Sequence, residues 1–293
     1  MSSPAPERDL PPPTAAVPLL DWLLTALAPT NRTRVKQLLR SGRVSVNGIP
    51  ATRHDHPLRP GDRVSIARDA PAARPAGLAG FAVAYEDAAL VVVDKPAGLL
   101  SVATESEKTD TAFARLRAHL AARRAGRPFV VHRLDRETSG LLLFARSPGV
   151  RDRLQASWDG VAKTYLAVVE GVPEPAEGVV ENFLTEGRDL RMRAGRRAGG
   201  SAKRAITRYR VVATRGRYSL IEVGLGTGRK HQIRVHLAGL GCPVAGDTAY
   251  GAATDPAGRL GLHAWRLAFD HPLTGRRVEL ESPLPEVLRG VVG

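Results

Sequence analysis

The chain has 293 residues, with 43 Lys and Arg against 29 Asp and Glu, a formal charge of +14 and a pI near 10.8. Its 43% hydrophobic residues suffice for a packed core, so wholesale disorder is excluded, and no apolar run reaches the roughly 18 residues of a membrane-spanning helix. One cysteine, Cys242, excludes an internal disulfide and Cys-rich zinc clusters, while the cationic surplus calls for a polyanionic partner, most simply nucleic acid. Arg outnumbers Lys 37 to 6, a coding bias that explains the choice of cation but not the excess of cations over anions. The Pro-rich start, MSSPAPERDL, lacks the apolar stretch of a signal peptide, and a cytoplasmic protein is expected.

In chain order, residues 1–16 read as a disordered Pro- and Ala-rich tail. Residues 17–69 read as a compact unit. Leu19, Leu20, Leu23, Leu24 and Leu27 repeat at helical spacing, and Thr30 or Asn31 can cap a second helix over 32–41. Val44 and Val46 predict a strand before an Asn47-Gly48 turn, and Pro60-Gly61-Asp62 a turn before Val64–Ile66. Residues 70–80 carry no periodicity and read as a linker. Over 81–293, apolar runs at Leu90–Val93 and Leu141–Phe144 predict buried strands. The spans 109–124, 148–158 and 230–240 predict helices, and Tyr165–Val169, Ile206–Val212 and Tyr218–Val223 further strands. Strands and helices do not alternate regularly, which disfavours a doubly wound parallel sheet. An α+β fold with a mixed or antiparallel sheet is expected.

Arg32, Lys36 and Arg40 recur at i, i+4 and i+8 and share a helix face that can follow a phosphate backbone, although most charged helix faces are simply solvated. The stretch NRTRVKQLLRSGRVSVNG, with the later LRPGDRVSI, resembles the alpha-L RNA-binding domain named for ribosomal protein S-four. The match includes Arg32, Arg34, Lys36, Gly42, Val44, Asn47, Gly48, Gly61 and Asp62. The resemblance and the shared helix face together imply RNA contacts from Arg32, Arg34, Lys36 and Arg40.

Two segments of the second domain are dense in polar groups. The first is His132-Arg133-Leu134-Asp135-Arg136-Glu137-Thr138-Ser139-Gly140, leading into the apolar run from Leu141. From residue type alone, Asp135 is more often an ion-paired structural carboxylate than a catalytic one. The second runs from Thr227 to His236, TGRKHQIRVH. Its glycines fit neither a dinucleotide fingerprint nor a P-loop, and His231 and His236 lie at the wrong spacing for a zinc hydrolase helix.

Together these segments resemble the RluA-type pseudouridine synthases over nearly all of 81–293. The resemblance includes Lys95-Pro96-x-Gly98, HRLDRETSG at 132–140, Lys163-x-Tyr165, TGRKHQIRVH at 227–236, and Gly246-Asp247-x-x-Tyr250-Gly251. It implies a mixed, largely antiparallel sheet with flanking helices, and isomerisation of uridine in RNA with no cofactor and no metal. It assigns the catalytic carboxylate to Asp135, its cationic partner to Arg229, and stacking on the uracil to Tyr165. Arg133 is expected to help extrude the base, and His132 to contact RNA or support the loop. Lys95 and Pro96 are read as structural. An ionised Asp135 serves either as nucleophile or as stabiliser of a cationic sugar, and sequence does not choose between them.

The expected substrate is large-subunit ribosomal RNA, with transfer RNA as the alternative, and the expected enzyme is a monomer. The competing class is a non-catalytic RNA-binding assembly factor, which would have lost Asp135, Tyr165 or Arg229. The stretch 187–204, with seven basic residues and one acid, reads equally as an RNA-contacting loop or a disordered hairpin.

Overall fold

The computed structural model describes residues 7–40, 44–46, 49–51, 56–67, 81–105, 107, 109–187, 189–195, 197 and 200–293. The chain divides into two units, Met1–Ala73 and Arg74–Gly293. Among the described residues, no helix is long and apolar enough to cross a membrane.

The first unit contains β1 (Glu7–Asp9), β2 (Val17–Pro18), α1 (Leu19–Ala26), α2 (Arg32–Arg40), β3 (Val44–Val46), β4 (Ile49–Pro50), β5 (Pro57–Leu58) and β6 (Val64–Ala67). Four strands form a sheet in the order β1-β6-β3-β4, and β2 pairs with β5. The helical repeat of leucines buries Leu19, Leu20 and Leu23 of α1 against Val35 and Leu39 of α2 and Val44 and Val64 of the sheet. The α2 cap is Asn31, whose Oδ1 accepts the Arg34 N–H at 2.8 Å. Asp62 closes the turn before β6 by accepting the Arg59 N–H at 2.7 Å.

The expected tail over 1–16 takes a different form from Glu7 onward. Glu7–Asp9 pairs antiparallel with β6, Asp9 meets Arg63 at 2.7 Å, and Leu10 is buried in the core. A three-residue strand amid prolines has too little periodicity to be seen in sequence, and tertiary pairing decides it. The Asn47-Gly48 turn and the expected linker 70–80 lie outside the described residues.

The second unit contains β7 (Ala82–Glu86), β8 (Leu90–Lys95), α3 (Ala112–Ala122), β9 (Phe129–Val130), β10 (Ser139–Ala145), α4 (Pro148–Ala156), β11 (Ala162–Glu170), β12 (Glu177–Glu186), β13 (Met192–Gly195), β14 (Lys203–Arg215), β15 (Tyr218–Leu225), α5 (Gln232–Gly239), β16 (Leu262–Asp270), β17 (Arg277–Glu281) and α6 (Glu286–Val292). The sheet runs β13-β12-β14-β15-β11-β16-β10-β8-β7, with β17 beside β16 and β9 beside β10. Only β10 and β16 pair in parallel among these strands, so the sheet is mixed and largely antiparallel, as expected of an α+β fold.

Strand β10 is buried along its whole length, because both of its faces are covered. Leu142 and Phe144 point toward Leu116 and Leu120 of α3, while Leu141 and Leu143 pack with Leu154 of α4. Each such side chain contributes about 2 kcal/mol of burial, so the strand is a rigid base for the loop that precedes it. On the other half of the sheet, Ile233 and Leu237 of α5 pack on Ile221 and Val223 of β15. The stretch 187–204 contributes β13, which pairs with β12.

Candidate active site

The loop 131–138 lies between β9 and β10 and carries His132, Arg133 and Asp135. Its backbone is fastened on both sides of Asp135. The Ser101 hydroxyl donates to the Leu134 carbonyl at 2.7 Å and accepts the Leu134 N–H at 3.0 Å. The Lys95 ammonium, fully buried, donates to the carbonyls of Arg136, Leu99 and Pro96 at 3.0, 2.8 and 2.9 Å. Burial draws the Lys95 ammonium down from its ordinary value to about 7.

At the end of the loop, Gly140 sits opposite Ala264 in the parallel pair and has φ +109°. A Cβ there would run into the Ala264 carbonyl oxygen and lie 2.8 Å from that residue's nitrogen and carbonyl carbon. Glycine is therefore required for the close approach. The adjacent Ser139 hydroxyl accepts from Arg259 at 2.8 Å and donates to His263 Nδ1 at 2.8 Å.

A cleft of about 800 Å³ opens over this loop. It brings together Asp135, His132, Arg133, Tyr165 and Arg229, which lie up to 97 residues apart in sequence. The cation nearest to Asp135 is not the expected one. Arg234 Nη1 stands 3.7 Å from Asp135 Oδ2, while its Nε and Nη2 hold Asp247 at 2.6 and 2.8 Å. Asp247 is almost wholly buried, so it fixes Arg234 from behind.

Arg229 lies on the cleft wall, but its Nε donates to the Arg204 carbonyl at 3.1 Å. The assignment of Arg229 as carboxylate partner is thus corrected to Arg234. His231 has φ +52° and turns the chain into α5, so residues before and after it face different ways. The cations at 229, 230 and 234 are equivalent in the sequence, and only this turn distinguishes them.

Tyr165, on β11, is partly buried with its ring on the cleft. Burial, and then the Asp135 charge, push its phenol upward, so it stays protonated. Arg133 is exposed at the rim. His132 supports the loop: its Nε2 accepts the Leu143 N–H at 3.0 Å and its ring stacks 4.6 Å from that of Trp158. Burial, aided by Lys163, pushes its imidazole down to about 3, so it is neutral.

Sequence reasoning missed His231. Its Nε2 is 3.9 Å from Asp135 Oδ2, and its Nδ1 is 2.8 Å from the Tyr250 hydroxyl. The signal lay in the Gly246-Asp247-x-x-Tyr250 motif, whose Asp and Tyr both reach the 231–234 turn. In the first unit, Arg32, Arg34, Lys36 and Arg40 all fall on α2. Arg32 and Arg34 are exposed, and the side chains of Lys36 and Arg40 lie outside the described part.

Known proteins resemble this chain in both of its units. Residues 89–239 match the model of the RNA pseudouridylate synthase family, and residues 17–64 match the S4 domain. A Bacillus subtilis protein named uncharacterized RNA pseudouridine synthase YlyB is 36% identical over 265 residues, covering 87% of this chain and 86% of that protein. The ribosomal large subunit pseudouridine synthase D of Zymomonas mobilis is 32% identical over 284 residues, covering 90% of this chain and 89% of that one. The solved structure of human RNA pseudouridylate synthase domain containing 4 superposes with a TM-score of 0.60 at 27% identity, covering 71% of this chain and 90% of that chain. With its S4 domain ahead of a catalytic sheet of this type, the chain belongs to the RNA pseudouridylate synthase family.

Proposed function

We propose that the chain isomerises uridine to pseudouridine in large-subunit ribosomal RNA, with Asp135 as the catalytic carboxylate. The observation that carries this reading is the Asp135 loop, fastened at Leu134 and at Arg136 and set 3.7 Å from Arg234 in the cleft. Relatives named ribosomal large subunit pseudouridine synthase D favour that RNA over transfer RNA.

In the isomerisation the N1–C1′ bond breaks, the base turns, C5 bonds to C1′, the C5 proton leaves and N1 takes up a proton. Atoms balance within the nucleotide, so the reading includes no cofactor. The carboxylate must remain ionised when RNA covers it, and desolvation works against that. Arg234 opposes the effect because a guanidinium stays charged at any relevant pH.

Ionised Asp135 then attacks the sugar or base, or accepts the 2′ proton from a cationic sugar. Tyr165 offers its ring to the uracil, and its hydroxyl lies on the same cleft, where it relays the departing C5 proton to water, taking it up as it gives its own away. Arg133, exposed at the rim, fills the place of the extruded base. In the first unit, Arg32, Arg34, Lys36 and Arg40 bind phosphates. The enzyme acts as a monomer in the cytoplasm.

The test is pseudouridine mapping of RNA from a strain lacking the gene, complemented with wild type or Asp135→Asn. At least one pseudouridine of large-subunit RNA should vanish and return only with wild type. Persistence of every such site overturns the reading, and loss confined to transfer RNA replaces the substrate.

A further inference from the structure

We propose that His231 is a positioning residue for Asp135: Tyr250 holds its imidazole with the proton on Nε2, the nitrogen that faces the Asp135 carboxylate. The proposal rests on the reading of Asp135 as the catalytic group.

The argument follows the donors. The Tyr250 hydroxyl oxygen lies 3.0 Å from the Met192 backbone nitrogen and 2.8 Å from His231 Nδ1. A backbone N–H only donates, so the hydroxyl oxygen accepts from Met192; in the proposal the hydroxyl's own proton goes to Nδ1. An imidazole that accepts at Nδ1 carries its proton on Nε2 when neutral. That nitrogen stands 3.9 Å from Asp135 Oδ2. Catalytic hydrogen bonds are often long before substrate enters, and here a closure of about 1 Å makes the contact.

The tyrosine ring also stands edge-on to the imidazole, at 82°, and Arg234 lies over the Tyr250 ring at 4.9 Å. One aromatic side chain thus locates both groups that face Asp135. His231 is held in left-handed backbone, a conformation histidine tolerates better than most residues, at the start of α5.

A neutral donor differs from a second cation in its effect. Arg234 already places a fixed positive charge 3.7 Å from Asp135. A neutral N–H gives the carboxylate a directed hydrogen bond without adding a second full positive charge beside it. The charged groups facing His231 are Asp135 from the loop, Lys230 and Arg234 from its own segment, and Asp247 from the turn before Tyr250. Burial outweighs the two carboxylates and, with Lys230 and Arg234, keeps the ring neutral.

The experiment uses the full chain with 15N-labelled histidine. Wild type should show His231 as the Nε2–H tautomer near pH 7.5, and Tyr250→Phe should show a mixture. On an RNA transcript that wild type modifies, Tyr250→Phe and His231→Ala should lower the single-turnover rate about tenfold, the rate equivalent of one net hydrogen bond, with KM within twofold. His231→Gln shares the backbone strain of His231→Ala but keeps an N–H donor, and should regain most of the rate. In Tyr250→Phe the ring loses the proton donor that favours its neutral form, so the acid limb of the rate profile should move to higher pH. Thermal melts confirm that each variant is folded, and Tyr250→Phe, which loses a single hydroxyl, carries the test if His231→Ala does not fold. An Nδ1–H tautomer in wild type, or the full rate in folded Tyr250→Phe or His231→Ala, overturns the proposal. If Asp135→Asn also keeps the full rate, the reading of Asp135 falls as well; if Asp135→Asn is inactive, only the role of His231 falls.

Discussion

Gly140→Ala tests whether the parallel join between β10 and β16 sets the position of the Asp135 loop. The new Cβ must enter the space of the Ala264 carbonyl, 2.8 Å from the Ala264 nitrogen, with φ held at +109°. Backbone held in such a region costs about 1–3 kcal/mol, and overfilling a packed site about 1–3 kcal/mol more. The neighbours cannot yield cheaply, since the obstruction is backbone in the centre of the sheet and Ser139 beside it is tied to His263 and Arg259. The expected loss is therefore about 3–5 kcal/mol, which in a unit of this size lowers the melting temperature by roughly 6–20 °C. Thermal and urea unfolding of the purified chain measure it, with single-turnover activity below the transition as the second readout. A variant within about 1 kcal/mol of wild type and fully active would refute the claim that this close approach is structurally required.

The remaining expectations concern charge. Arg234→Ala strips the buried Asp247 carboxylate of its two-pronged partner and should cost about 3–5 kcal/mol, whereas Arg229→Ala should stay within about 0.5 kcal/mol by urea unfolding. Acid should destabilise the fold through two imidazoles. His132 and His236 are pushed by burial to about 3 and about 4, below the ordinary 6.5, so between those values the unfolded chain binds protons that the native state refuses. Stability from each is complete above about pH 6.5 and falls with pH by up to about 1.4 kcal/mol per unit. His132→Gln should flatten the pH dependence of the urea midpoint, and an unchanged slope would contradict the neutral assignment. Replacing Arg32 and Arg34 by Ser should reduce the slope of log affinity against log salt by about 1.4 for single-stranded RNA, read by binding titrations at several salt concentrations.

Much of this was legible in the sequence because the signals are local. The leucine repeat of α1, the Asn31 cap and the uninterrupted apolar run of β10 each depend on neighbours a few residues away. What failed depends on distant partners. Glu7–Asp9 is a strand only because β6 lies beside it. The choice of Arg234 over Arg229 depends on the left-handed turn at His231 and on Asp247, thirteen residues beyond Arg234. Tyr250 meets His231 across nineteen residues, so the motif that contains it showed its presence but not its use.

The most direct test of the central claim compares Asp135→Asn with wild type on the same RNA under single-turnover conditions, with affinity measured in parallel. The substitution keeps size and shape and removes the charge. The account predicts RNA binding within a few-fold of wild type and no detectable pseudouridine. Pseudouridine formed at the wild-type rate by the folded Asp135→Asn protein would contradict it.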